Sequence, residues 1–309
     1  MNTAPLTQTS WLEAARRHAR THTLAFVSLS LGLTAVLLLL AQSLWTVLSG
    51  ELGVGVRYGL LGGFAGFVAT ALGALPALAL RSIGQKTEDS MLGFAAGMML
   101  AATAFSLLLP GLEAGAEILG SRPLGAGVVV LGMTLGVLMM LGLDAFTPHE
   151  HDKIGPCGPG YERFDRVWLF VFAITLHNLP EGMAIGVGFS QGDMSVGLPL
   201  ATAIALQDIP EGLAVALALR AAGFAPGRSV LVAAASGLME PLGALLGVGL
   251  SSGLALAYPV GLGLAAGAML FVVSHEVIPQ THRNGHETAA TIGLMFGFAL
   301  MMVLDTTLG

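Results

Sequence analysis

His177, Asn178 and Glu181 stand in the run HNLPEG, and Gln207, Asp208 and Glu211 repeat the pattern thirty residues later as QDIPEG. His177 and Glu181 are four residues apart, and Asn178 and Glu181 three, so a helix would put all three on one face. The same spacing holds for Gln207, Asp208 and Glu211. Glu240, in GLMEPLG, adds a further carboxylate. Imidazole, carboxylate and amide together make a metal-binding set. Imidazole suits Zn, Cu, Fe and Ni, whereas carboxylate and carbonyl oxygens suit harder ions. No thiolate joins them, which argues against a high-affinity Cu(I) site. Zn2+ fits the set best, followed by Cd2+, Fe2+ and Mn2+. Glu181 and Glu211 are placed to bridge two ions, which a shared carboxylate holds about 3.5–4 Å apart.

The elements that must position these groups are membrane spans. Of the 309 residues 54% are hydrophobic and only 10% charged, and the mean hydropathy is +0.80. A soluble domain is nearer a quarter charged. Spanning a bilayer takes roughly 20 apolar residues, and nine runs qualify, at 23–49, 54–80, 90–110, 124–146, 164–189, 195–219, 228–251, 258–279 and 288–308. Barrel strands would be about half as long and would alternate. These runs do neither, so the class is an all-α polytopic membrane protein. The first run follows a polar leader and is too long for the apolar core of a signal peptide, so a retained helix is expected. With the N-terminus in the cytoplasm, 11 of the 13 basic residues fall on the cytoplasmic side and only Arg57 and Arg122 outside. That bias fixes the orientation and puts the C-terminus on the outer, periplasmic side of a bacterial inner membrane. The lone Cys157 excludes an intrachain disulfide and a thiolate cluster.

Four carboxylates at the middle of neighbouring spans need neutralising. Each ionised group costs about 2.5–3.5 kcal/mol at that depth on insertion scales. No Lys or Arg lies mid-span, so protons or metal cations remain, and two divalent ions would cancel Glu181, Asp208, Glu211 and Glu240. Pro180, Pro210 and Pro241 each free a carbonyl one turn earlier. Irregular backbone at this depth belongs in a protein-lined cavity. Ordinary proline kinks with protonated acids are the plainer alternative, but they do not explain donors that recur in register.

Two self-similarities run through the chain. LHNLPEGMAI (176–185) aligns with LQDIPEGLAV (206–215), on the fifth and sixth spans, and GFAAGMML (93–100) with GLAAGAML (263–270), on the third and eighth. Each pair is antiparallel. Inverted repeats mark many secondary transporters, with the substrate at the repeat interface near the midplane. Pairing the second span with the seventh and the fourth with the ninth follows by symmetry. The first span has no partner. The expected organisation is a cytoplasmic tail at 1–22, an extra transmembrane helix at 23–50, and an eight-helix core at 51–309 with a cytoplasmic loop at 147–163.

HNxPEG and QDxPEG on paired helices, with Met-Glu in the next span, resemble the ZIP family of divalent metal transporters, in its prokaryotic GufA-like branch. The resemblance covers about 51–309 and implies an eight-helix core with inverted symmetry, to which the first helix is an addition. It also implies that His177, Asn178, Glu181, Gln207, Asp208, Glu211 and Glu240 form a central, binuclear site. Relatives often carry His where this chain has Gln207, Asp208 or Asn178, so the two metal positions should not be equivalent.

Further candidates flank that centre. Met99 sits mid-span in the third helix, where its thioether offers a soft ligand. His275, Glu276, Asp144 and His286 lie toward the cytoplasmic side and form a candidate exit path. His149 and His151, with Glu150 and Asp152, make a loose binding run in the 147–163 loop, to which His282 could add. On the outer side Glu113, Glu117 and Asp305 could attract cations. His18 and His22, among arginines, fit a lipid-headgroup patch.

The expected activity is carriage of divalent metal into the cytoplasm by alternating access. The expected partners are the metal ions and membrane lipid, with a homodimer allowed and no nucleic acid. A membrane-embedded dinuclear metalloenzyme is the alternative. The HExxH of an intramembrane metalloprotease is absent, and paired Glu-x-x-His motifs of a di-iron oxygenase are not formed. A proton-coupled carrier of an organic solute would call for a mid-span Arg, which is missing.

Overall fold

The computed structural model describes residues 53–146, 149–151, 155–157, 166–251 and 254–309, and scattered positions between 19 and 45. Apart from those scattered positions, the expected cytoplasmic tail and first span, and much of the 147–163 loop, therefore lie outside the described residues.

Eight helices among the described residues are long and apolar enough to cross a membrane: α1 (Val54–Leu78), α2 (Gln85–Leu119), α3 (Arg122–Asp144), α4 (Val167–Phe189), α5 (Met194–Ala221), α6 (Pro226–Ser251), α7 (Ala257–Thr281) and α8 (Glu287–Leu308). They match the second to ninth expected spans within a few residues, apart from α2, whose helix extends well past both expected ends. A short antiparallel pair, β1 (His149–His151) and β2 (Gly155–Cys157), joins α3 to α4, with His149 opposite Cys157.

Local signals set the helix ends. Asp193 caps α5 by accepting from the Ser195 N–H and hydroxyl, both at 2.8 Å. Gly120, at φ +62°, turns the chain from α2 into α3 in a conformation that suits glycine. α6 is broken at Gly237–Leu238 into Pro226–Ser236 and Met239–Ser251. Pro241 lies in the first turn of the second half and has no N–H to give Gly237; the Gly237 carbonyl instead accepts from the Glu240 N–H at 3.1 Å.

Small residues decide which helices meet. A Cβ on Gly93 or Gly97 of α2 would strike the carbonyls of Ala290 and Leu294 in α8. One on Gly263 or Gly267 of α7 would strike those of Val129 and Met133 in α3. These are the glycines of the aligned GFAAGMML and GLAAGAML segments, so α2–α8 and α7–α3 are equivalent crossings. Likewise Gly182 of α4 lies against the Glu240 carbonyl of α6, and Gly212 of α5 against the Thr70 carbonyl of α1. The α4–α6 and α5–α1 crossings are therefore equivalent too. The pairings expected by symmetry, α1 with α6 and α3 with α8, emerge from these contacts.

Both α2 and α7 carry a π-helical turn at the same place, Thr103–Leu108 and Val273–Val277, six residues after Gly97 and Gly267. Such turns redirect side chains and frequently accompany sites. α3 and α8 turn residues such as Leu131, Leu138, Ile292 and Phe296 outward, as lipid-facing helices do, while α4 and α5 are mostly buried. The helices that carry the polar motifs are thus among the most enclosed of the bundle.

Candidate metal centre

HNLPEG and QDIPEG sit mid-helix on α4 and α5, and both helices run through their prolines, Pro180 and Pro210. His177, Asn178, Glu181, Gln207, Asp208, Glu211 and Glu240 are all between 0 and 3% exposed. Seven polar side chains are thus enclosed at the heart of an apolar bundle. Glu181, Asp208 and Glu211 each bring one carboxylate oxygen to within 4.8 Å of the others. Gln207 donates its amide N–H to Glu181 Oε1 across the α4–α5 interface. Glu240 enters from α6 in the first turn of a half-helix. The positive end of that helix dipole favours a carboxylate there. Its Oε1 accepts from Thr70 Oγ1 of α1 at 3.0 Å.

What these groups lack is as telling as what they have. Six carboxylate oxygens are buried with no hydrogen-bond donor: Glu181 Oε2, both oxygens of Asp208, both of Glu211, and Glu240 Oε2. The Gln207 carbonyl oxygen is in the same position. Buried polar atoms are nearly always paired, and buried acceptors that point together without donors suit a cation. The described residues contain a second independent sign. Gly66 of α1 faces the cluster, and a Cβ there would overlap the Glu240 carboxylate and come 3.0 Å from Asp208 Oδ2. The backbone has been brought as close to the acids as glycine allows.

The flanking candidates distribute around this centre. Glu276, in the α7 π turn, lies 2.8 Å from His177 Nε2 through its Oε2. A residue assigned from sequence to the exit path thus touches the central imidazole directly. His275 stacks against Phe271, with ring centroids 4.8 Å apart. Met99 packs in an apolar cluster with Met98, Met269 and Leu262, so the structure gives its side chain packing partners. Asp144 ends α3, eight residues after Gly136, as Asp305 follows Gly297 in α8; the two acids are equivalents at opposite ends of the bundle. Asp305 accepts from Ser106 in the α2 π turn at 2.6 Å. Glu113 and Glu117 are exposed on the same end, and Glu117 lines a cavity of about 550 Å³ there with Gln191, Asp193 and Tyr258. His286 meets Asp89 at 2.9 Å. His149 and His151 lie on β1, and Asp152, His18 and His22 are outside the described residues.

Sequence reasoning missed three positions. Thr70 and Gly66 wall the centre from α1. Asp89, fully buried, accepts from Asn284 at 2.9 Å and Gln85 at 3.2 Å in addition to His286. No sequence signal marks Thr70; its equivalence to Glu240 comes from the contacts, since Gly212 packs on Thr70 as Gly182 packs on Glu240.

With this geometry in place, comparison with known proteins is decisive. The family model described as ZIP Zinc transporter matches residues 158–305. Zinc transporter ZIPB of Bordetella bronchiseptica is 67% identical over 291 residues, covering 94% of each chain. The chain belongs to the ZIP family. Zinc transporter GufA of Myxococcus xanthus is 44% identical over 261 residues, 84% of this chain and all of that protein. Zinc transporter ZIP11 of Homo sapiens is 31% identical over 334 residues, 81% of this chain and 97% of its own length. The ZIP assignment, the GufA-like branch and the integral membrane character expected from sequence are borne out. The metalloenzyme alternative has no support, since the relatives are named as transporters.

Proposed function

We propose that the chain carries Zn2+ across a bacterial inner membrane into the cytoplasm, with Cd2+ and Fe2+ as further substrates of the same chemistry. The observation that carries this reading is the set of six donorless buried carboxylate oxygens at the crossing of α4, α5 and α6. His177, Asn178, Glu181, Gln207, Asp208, Glu211 and Glu240 form two adjacent metal positions, bridged by Glu181 and Glu211. The relatives' names support zinc as the ion.

Inward direction has an electrical argument. Each positive charge entering an inside-negative cell gains about 2.3 kcal/mol per 100 mV, so a divalent ion gains about twice that. The distribution of Lys and Arg supports a cytoplasmic N-terminus and a C-terminus outside. In that orientation Asp305, Ser106, Glu113 and Glu117 serve the entrance. Glu276, His275, Asp144 and His286 receive the ion on the cytoplasmic side, and His149 and His151 take it up in the loop. Residues 51–309 make the transport core, 23–50 an added span and 1–22 a cytoplasmic tail. α4, α5 and α6, joined by α1, move against α2 and α7 to give alternating access. Met99 presents its thioether to the ion during that movement.

Uptake of Zn2+ or Cd2+ into sealed proteoliposomes tests the reading. Wild-type protein should load the vesicles, and Glu181→Ala should not. If wild-type vesicles accumulate neither ion under any inward gradient, the proposal is wrong.

A further inference from the structure

α1 carries none of the expected ligands, yet it closes one wall of the centre. Thr70 is buried, and its hydroxyl reaches Glu240 Oε1 at 3.0 Å while lying 3.2 Å from the Gly66 carbonyl. A hydroxyl has one proton, and the charge-assisted bond to the carboxylate is the stronger use of it. One turn earlier, Gly66 leaves the space that Glu240 Oε2 occupies beside Asp208 Oδ2. The two oxygens of Glu240 are thus differently committed. Oε1 is held by a hydroxyl from another helix, and Oε2 has no donor. The pseudo-twofold sharpens the point. Gly182, next to Glu181, packs on the Glu240 carbonyl, and Gly212, next to Glu211, packs on the Thr70 carbonyl. Thr70 is therefore the symmetry mate of Glu240: one repeat places a carboxylate where the other places the hydroxyl that holds it.

We infer that Thr70 is a positioning residue for the second cation: it locks the Glu240 carboxylate so that Oε2 joins Asp208 as a ligand pair. This rests on the two-position reading above. A rotated Glu240 would leave the Asp208 side of the centre one ligand short, while the His177 side keeps its imidazole, Glu181 and Glu211. A hydrogen bond to a charged group corresponds to roughly a ten- to hundred-fold change in an equilibrium, and that is the expected weakening.

Equilibrium dialysis of the purified full chain against radioactive Zn2+ counts the ions bound and their affinities, and proteoliposome uptake separates KM from Vmax. Wild type should bind two Zn2+. Thr70→Val should keep one at wild-type affinity and weaken the other by roughly ten- to hundred-fold. Thr70→Ser, which keeps the hydroxyl, should restore the second ion. Thr70→Ala, judged by the same dialysis, stands in if Thr70→Val is not recovered folded. Two undiminished ions in both Thr70→Val and Thr70→Ala would overturn the inference. So would equal loss of both ions in Thr70→Val, Thr70→Ala and Thr70→Ser, which is the pattern of a purely structural role. Fewer than two ions in wild type would overturn the two-position reading itself, whatever the Thr70 variants do.

Discussion

A carboxylate buried without a donor is a liability that only a ligand or a proton relieves. Glu211 is the clearest case, with both oxygens enclosed and donorless. Replacing it with Gln keeps the volume and removes the charge. Two opposite consequences are expected of Glu211→Gln. Zn2+ uptake should fall by at least about 100-fold, since even residues that merely support a metal's ligands cost about 10–100-fold. The metal-free protein should melt no earlier than wild type, because an uncompensated buried charge has gone. Wild type should also gain about 2.7 kcal/mol of stability from Zn2+ at a hundred times its Kd, and Glu211→Gln should lose that gain. Thermal melting with and without Zn2+ reads both effects. Near-normal uptake in Glu211→Gln would remove Glu211 from the site. Six of the seven central residues were legible because type and spacing coincide, donors three and four apart, twice, in spans where each one is costly, and Glu240 because it is a mid-span acid in the next span. Thr70 and Gly66 were not. A threonine and a glycine are common in any membrane helix, and their role depends on α1 lying against α6, which no local pattern reveals.

At the scale of the element, hydropathy placed the eight described spans, because a helix long enough to cross lipid leaves an uninterrupted apolar run. Two devices escaped that reading. The π turns at Thr103–Leu108 and Val273–Val277 come from hydrogen-bond register, which composition does not encode. The break in α6 was half visible, since Pro241 frees the Gly237 carbonyl, but the placement of Glu240 at a half-helix N-terminus needed the structure. The repeated glycines, by contrast, were visible as an alignment and proved to be the crossing points. Gly267→Ala would push a methyl into the Met133 carbonyl of α3, and Gly97→Ala into the Leu294 carbonyl of α8. Overpacking of this kind costs about 1–3 kcal/mol, or roughly 2–10 °C in Tm for a chain of this size. Equal losses in the two variants are expected from the equivalence of the crossings; an unchanged Tm in either would mean that the helices are not so closely apposed. Asp89 gives a second element-scale test. It ties the α7–α8 connection to the start of α2 through Asn284 and His286. Asp89→Ala should speed amide hydrogen exchange near 284–290 while leaving the centre of α8 protected, and unchanged exchange would show that the tie is not what orders the connection.

The eight described spans are two copies of one plan laid head to tail, so the two ends of the bundle are built alike. At one end stand Asp305 and Ser106, at the other their equivalents Asp144 and Glu276. Near-symmetry of this kind lets one site open to either side, and it also means that the fold alone does not say which side is the cytoplasm. The basic residues support the assignment proposed above: among the described residues Arg81, Lys86, Arg166, Arg220, Arg228 and Arg283 gather at the end that carries the β1–β2 connection. The chain supplies its own probe of that assignment. Cys157, its single cysteine, lies on β2 between α3 and α4. A membrane-impermeant maleimide should leave it unlabelled in intact cells and label it once the membrane is permeabilised. Moving the thiol to the opposite end, as Ser190→Cys in a Cys157→Ser background, should reverse the result, because Ser190 follows α4 at the end shared with Tyr258 and Asp305. Labelling of Cys157 in intact cells would invert the orientation. The acids at Asp305 would then face the cytoplasm, Glu276 would face outward, and an inside-negative potential would drive the ion past them in the opposite order.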